Sequence, residues 1–170
     1  MFVRNIGKRQ GEYPVNTLEF IQIPFSEHFS LVNHIIQPLQ LAITQICPIK
    51  ELDYVVASHQ DPDIISSLDR WLMYSNARIL ISRLWERFLP HLVPDYTDNE
   101  GDIRIIGIPD QGMDINLGDC VIKALPAHFL HSVGNLHFYD SVSKILFSGD
   151  VGASMLEDEH AAPVENFAAH

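Results

Sequence analysis

The residues best suited to chemistry in this chain of 170 residues are histidines and aspartates, and the strongest group is His59-x-Asp61-x-Asp63. Side chains alternate along extended backbone, so all three would face one side of an extended segment. Pro62 favours that conformation, because a proline disfavours the helical region for the residue before it. Imidazole and carboxylate without thiolate suit iron, manganese or zinc. One interpretation of this segment is therefore a metal site.

The same segment has a second interpretation, in which Asp63 is the N-cap of a helix that begins at Ile64 and His59 is solvated. Two later residues favour the metal site, because His131 and Asp150 each end an apolar segment, where a side chain can enter a cleft. Two histidines and three aspartates, one of which can bridge, are enough to begin a pair of metal sites.

The other candidate residues are expected to have structural roles. His128 could support neighbouring ligands, but the spacing favours His131 as the ligand itself. His137 alternates with apolar neighbours in a strand and is predicted to face solvent. Surface or satisfied core positions are expected for His28, His34 and His91. Helix faces packed into the core are expected for Trp71, Met73, Tyr74, Trp85 and Phe88.

An α/β fold is predicted to position these residues. A buried strand over Leu52–Ala57 precedes the His59 segment, and ligand sites in α/β sheets lie at the carboxyl ends of strands. A helix over Ile64–Tyr74, a strand over Ala77–Ser82 and a helix over Arg83–His91 follow. Part of 28–46 is also expected to be helical. Strand pairs are predicted over 104–108, 115–116, 120–125, 136–139 and 144–147, so the sheets should be mixed, with helices packed on them.

Composition narrows the class of protein. The formal charge of -11 has the wrong sign for binding nucleic acid or an anionic membrane surface. The two cysteines can form neither a disulfide framework nor a thiolate zinc cluster. The sequence shows no signal peptide and no apolar run long enough to span a membrane. These features predict a cytoplasmic protein with a single domain over 1–170.

The spacing of the candidate ligands resembles that of the metallo-β-lactamase superfamily, in the branch of flavodiiron proteins and oxygen-binding diiron proteins. That branch has the pattern H-x-[E/D]-x-D, then a histidine, then an aspartate after eighteen residues. In this chain 67 residues separate Asp63 from His131, and 18 separate His131 from Asp150. The flanking segments 55–63 and 144–150 are also similar to the family.

The resemblance implies an αββα sandwich with two iron ions, zinc or manganese being the alternatives. It assigns His59, Asp61 and His131 to one iron, Asp63 to the second and Asp150 to the bridge. The implied function is binding of O2 or NO, for sensing or as the diiron half of a reductase. This chain would bind no flavin, so an external flavoprotein would have to donate electrons; a signalling partner is the other expectation. The competing function is that of a zinc-dependent hydrolase of the same superfamily.

The chain also departs from the family pattern. The last histidine ligand is missing, and His160 and His170 lie too close to Asp150 to replace it. Hydrolytic members have histidines at the positions of Asp61 and Ile64, and the harder carboxylate favours iron. The usual D-x-G turn is absent from 18–24. The fold is therefore expected to be incomplete at its C-terminus, with exposed edges that favour a homodimer.

Overall fold

The structure is a computed structural model that describes residues 2–3, 40–41, 43–45, 47–94, 96–118 and 120–151. Most of the helix predicted within 28–46 lies outside these residues, although 40–41 and 43–44 are helical. The segment 18–24 and the C-terminal histidines His160 and His170 also lie outside them.

The first sheet has four strands in the order β1-β2-β3-β4. Strand β1 is antiparallel to β2, and β2, β3 and β4 are parallel. The strands are β1 Phe2–Val3, β2 Tyr54–Val56, β3 Arg78–Ser82 and β4 Ile105–Ile108. The helices beside them are α1 Pro62–Ile65, α2 Leu68–Tyr74 and α3 Arg83–Glu86, with 3-10 turns at Ile49–Glu51 and Leu89–His91.

The second sheet is an antiparallel meander in which each strand pairs with the next along the chain. Its strands are β5 Met113–Asn116, β6 Val121–Pro126, β7 Leu136–Asp140 and β8 Ile145–Phe147. The predicted α/β fold with mixed sheets is confirmed, since the first sheet combines parallel and antiparallel pairs.

Two apolar layers hold these elements together, and strand β3 contributes to both because its side chains alternate. Ile79 and Ile81 pack with Trp71 and Leu72 of α2 in the layer between helices and first sheet. Leu80 packs with residues of the second sheet in the layer between the sheets. Burial on both faces accounts for the continuous apolar run of this parallel strand.

The helix predictions were partly wrong. The single helix predicted over Ile64–Tyr74 is two helices separated by a turn at 66–67, and the helix predicted over Arg83–His91 ends at Glu86, before a 3-10 turn that contains Pro90. Trp71 is buried as predicted, but the same helix presents only one face to the core.

Three side chains that were predicted to pack in the core lie mostly or partly in solvent. Met73 is 58% exposed, Tyr74 is 55% exposed and Phe88 is 44% exposed. Trp85 packs partly buried against the helical layer of the core, as predicted.

Arg104 joins the end of α2 to the start of β3. Its guanidinium donates hydrogen bonds to the carbonyl oxygens of Leu72 (3.0 Å), Ser75 (2.7 Å) and Ala77 (2.8 and 3.0 Å). A helix leaves its last carbonyl groups without partners inside the helix, and Arg104 satisfies that of Leu72 together with two carbonyl groups of the connection to β3.

We expect Arg104→Met to lower the free energy of unfolding by about 2–4 kcal/mol, because it leaves partly buried carbonyl groups without a charged donor. Denaturant titration measures the change. Arg83→Met is the control, since Arg83 is exposed, and it should stay within about 0.5 kcal/mol of the wild type. Equal losses in the two variants would contradict the bridging role of Arg104.

Asp140 closes the turn between β7 and β8 and is only 2% exposed. Its carboxylate accepts hydrogen bonds from the backbone N–H of Val142 (2.9 Å) and from the N–H (3.3 Å) and hydroxyl of Ser143. Burial by itself raises the pKa of this carboxyl, but these hydrogen bonds outweigh it and hold the pKa below the ordinary value of 3.8.

A lowered pKa makes the stabilisation by Asp140 complete above the unfolded-state value of 3.8 and removes it as the pH falls through the lower folded-state value. We therefore expect Asp140→Asn to destabilise the chain at pH 7 and to approach the wild type as the medium is acidified below pH 3.8. Unfolding free energies from pH 7 downward test this. Asp114→Asn, at a side chain that is 67% exposed, should show no such convergence.

Candidate metal centre

His59 follows strand β2 and is completely buried, with 0% of its surface exposed. The β2 segment is tied to β3 beyond the strand itself, because the Ala57 N–H donates to the Leu80 carbonyl. The Ser58 hydroxyl oxygen lies 3.0 Å from His59 Nδ1. When Nδ1–H donates to that oxygen, Nε2 carries the lone pair that a metal requires.

Asp61 occupies the N-cap position of helix α1, with extended backbone and Pro62 as the first helical residue. Its side chain makes no capping hydrogen bond. Instead, Asp61 Oδ2 lies 3.4 Å from His59 Nε2 and 3.3 Å from His131 Nε2. The carboxylate therefore faces the histidines rather than the helix.

The interpretation of Asp63 as an N-cap was wrong, because the helix begins at Pro62 rather than at Ile64. The extended face expected over His59, Asp61 and Asp63 also ends at Asp61, since Asp63 has helical backbone. The side chain of Asp63 is outside what the structure describes, so its role as a ligand stays a prediction.

His131 lies in the loop between β6 and β7 and has a φ of 78°. This left-handed backbone is uncommon for residues other than glycine, and such strain concentrates at functional sites. The rings of His131 and His59 meet edge to face, with centroids 4.6 Å apart and an interplanar angle of 72°. The loop thus brings the second imidazole against the first.

Asp150 follows strand β8 after Gly149, whose φ is 60°. Asp150 Oδ2 lies 3.6 Å from His59 Nε2 and 3.7 Å from His131 Nε2. The structure therefore brings together four of the five predicted ligands, although they come from three separate segments of the chain.

The four histidine–carboxylate distances are close to those between ligands that share one metal. Each Nε2 of His59 and His131 faces Oδ2 of both Asp61 and Asp150 at 3.3–3.7 Å. Ligands about 2.0–2.2 Å from one metal in tetrahedral arrangement lie about 3.3–3.6 Å apart. One ligand atom from each of His59, Asp61 and His131 lies within 4.8 Å of the other two, so these three side chains could hold a metal ion together.

A bound cation would also give a partner to a buried polar atom of the cluster. His59 Nε2 is buried and makes no hydrogen bond within the described part of the chain. A buried polar atom without a partner costs about 1–3 kcal/mol. The carboxylates of Asp61 and Asp150 add two formal negative charges, so the donor set fits a metal. One side of the cluster stays open, since Asp61, His131 and Asp150 are 38%, 30% and 26% exposed.

The other described histidines occupy other environments, and His28 and His34 lie outside the described residues. His137 was predicted to face solvent, but it is half-buried, and burial lowers its pKa. His128 Nε2 lies 3.4 Å from the Asp110 carboxylate, which is not part of the cluster. His91 is exposed, as expected.

Two residues that contact the cluster or the loop that holds His131 were missed. Ser58 had no sequence signal beyond its place before His59. The only signal for Asn135 is the Gly134-Asn135 pair, which is typical of turns, directly before β7.

Among the described residues, no helix is both long and apolar enough to cross a bilayer.

Solved structures share this architecture. The chain is 38% identical to the chemotaxis sensor ODP in a structure of its peroxy diiron species, with a TM-score of 0.66 over 80% of this chain and 54% of that one. It is 40% identical to an apo state of the chemotaxis sensor ODP from T. denticola, with a TM-score of 0.67 over 81% and 54%. Rubredoxin oxygen:oxidoreductase from Desulfovibrio gigas, at 19% identity, shares the fold with a TM-score of 0.56 over 66% and 27%.

The sequence comparisons agree. An uncharacterised protein of Methanocaldococcus jannaschii is 30% identical over 135 residues, which are 79% of this chain and 32% of that protein. The chain thus spans about a third of this curated relative and about half of the two sensor structures. The resemblance to the diiron branch of the metallo-β-lactamase superfamily is confirmed by a family model that matches residues 32–170. The chain therefore belongs to the family described as ODP family beta lactamase.

Proposed function

We propose that this chain is a non-haem diiron domain that binds O2 and serves in oxygen sensing. His59, Asp61 and His131 hold one iron, Asp150 bridges, and Asp63 holds the second iron. The observation that carries the proposal is the convergence of two imidazoles and two carboxylates at 3.3–3.7 Å around a buried, unpartnered His59 Nε2.

The residues of the site have different roles in binding the metals and the diatomic ligand. Ser58 orients the His59 ring through Nδ1, and burial keeps that ring from rotating into solvent. Asp61 and Asp150 supply the negative charge that a pair of divalent cations requires. The exposed side at Asp61, His131 and Asp150 leaves a path by which a diatomic ligand reaches the cluster. Bound ferrous ions supply the electron density that O2 binding requires.

Iron is favoured over zinc by the hardness of the donor set, in which carboxylates equal or outnumber imidazoles and no thiolate takes part. Sensing is favoured over reduction because the relatives at 38–40% identity are structures of a chemotaxis sensor, whereas the flavodiiron similarity below 25% identity shows only the fold. Reduction of O2 or NO would need an external flavoprotein donor. A signalling partner and a second copy of this chain are the other proposed partners.

Metal analysis of the chain purified without added metal tests the proposal. We expect about two irons per chain and a visible spectrum that changes when the reduced protein meets O2. Zinc together with esterase activity would support the competing function of a zinc-dependent hydrolase and contradict the diiron proposal. NO added to the reduced protein shows whether the same site takes both gases.

Replacement of any single ligand should strongly weaken metal binding without unfolding the chain. We expect His59→Ala, His131→Ala and Asp150→Ala each to weaken Fe²⁺ or Co²⁺ binding by at least about 100-fold, because even outer partners of ligands cost 10–100-fold. His91→Ala and Asp114→Asn are controls, since both side chains are exposed. Metal titration measures the affinity, and wild-type affinity in Asp150→Ala would remove that residue from the site.

A further inference from the structure

Asn135 is a buried polar residue with no assigned role, and it stands, with its neighbour Leu136, where the three segments that bring the candidate ligands together meet. Its side chain is 0% exposed, although asparagine is mostly found at protein surfaces. It stands at the end of the β6–β7 loop, directly before strand β7. The contacts of Asn135 and of the next residue, Leu136, fall into three groups.

The first group holds the His131 loop. Asn135 Nδ2 donates to the Leu130 carbonyl (2.8 Å), and the Asn135 N–H donates to the Ser132 carbonyl (3.3 Å). These acceptors belong to the residues on either side of His131. The Asn135 carbonyl accepts from the Ala127 N–H (2.8 Å) and so closes the base of the loop. One residue thereby restrains the loop in which His131 has left-handed backbone.

The other two groups reach the remaining ligand segments. The N–H of the next residue, Leu136, donates to the Ser58 carbonyl (2.8 Å), beside His59. Asn135 Oδ1 lies near Gly149, beside Asp150: a Cβ added to Gly149 would lie 3.7 Å from that oxygen and 3.4 Å from Ser58 Oγ. Gly149 therefore stands beside both polar side chains, with room for no more than a Cβ between them.

We propose that Asn135 is a positioning residue that sets His131 against His59 and Asp150 in metal binding. This inference rests on the proposed metal site and adds the residue that assembles it. Asn135 supplies one donor to the backbone on each side of His131, and these two hydrogen bonds offset the cost of the left-handed conformation. Metal affinity, and not only stability, should then depend on its amide group.

Asn135→Ser tests the proposal by Co²⁺ titration of the otherwise unchanged chain, at a temperature where the variant is folded. We expect the Co²⁺ dissociation constant to rise about 10–100-fold and the visible Co²⁺ spectrum to change, because His131 is displaced. Asn116→Ser is the matched control, since Asn116 is an exposed asparagine at the end of β5 whose side chain accepts one backbone N–H. It should keep wild-type affinity.

Arg104→Met separates an effect on ligand positioning from an effect on stability, because it should destabilise the fold at the junction of α2 and β3 rather than at the cluster. We expect it to bind Co²⁺ within about twofold of the wild type, the usual scatter between independent sites. Affinity within twofold of the wild type in Asn135→Ser would overturn the positioning role and leave the metal site standing. A wild-type chain that binds no Co²⁺ would overturn both.

Amide hydrogen exchange on the wild type gives a second measurement if Asn135→Ser does not fold. Co²⁺ should slow exchange at the N–H groups of Ala127 and Asn135, which close the His131 loop, and of Leu136, which joins this loop to the His59 segment. The N–H of Val142, which is bonded to Asp140, should be unaffected. Tight Co²⁺ binding without added protection at the first three groups would contradict the proposal.

Discussion

The buried imidazole of His59 is the constraint on which the site depends. The ring has no exposed surface, Ser58 holds one nitrogen, and the other nitrogen faces two carboxylates without a hydrogen bond. Burying a polar atom in this state is unfavourable unless a cation completes its surroundings. The electrostatics of the cluster and the geometry of its neighbours therefore both point to a metal.

The two sheets bring the cluster together from distant parts of the chain. His59 follows the parallel strand β2, and the meander of the second sheet returns twice to the same region, at the β6–β7 loop and after β8. Packing of Leu80 and Val56 against Ile122 and Phe138 sets the distance between the sheets. Because protein interiors are close-packed, the loops have little freedom to separate.

Sequence patterns anticipated much of this arrangement, and the misses have physical causes. The alternating and apolar runs predicted strands close to β2, β3, β4, β6, β7 and β8. The cap assigned to Asp63 failed because Pro62 is tolerated at the first helical position and begins the helix earlier. Met73 and Tyr74 lie mostly in solvent because a helix beside a sheet buries only one stripe.

The sequence by itself determined the chemistry available to this chain: which side chains bind metals, that no thiolate joins them, and the spacing that indicates the family. Tertiary structure decided which of these side chains meet and how. The turn of the Asp61 carboxylate away from its own helix, its contact with His131, and the hydrogen bond from the Leu136 N–H to the Ser58 carbonyl all involve parts of the chain that are far apart. Local patterns report conformational preference over a few residues, whereas the contact between Asp61 and His131 joins residues that are 70 positions apart.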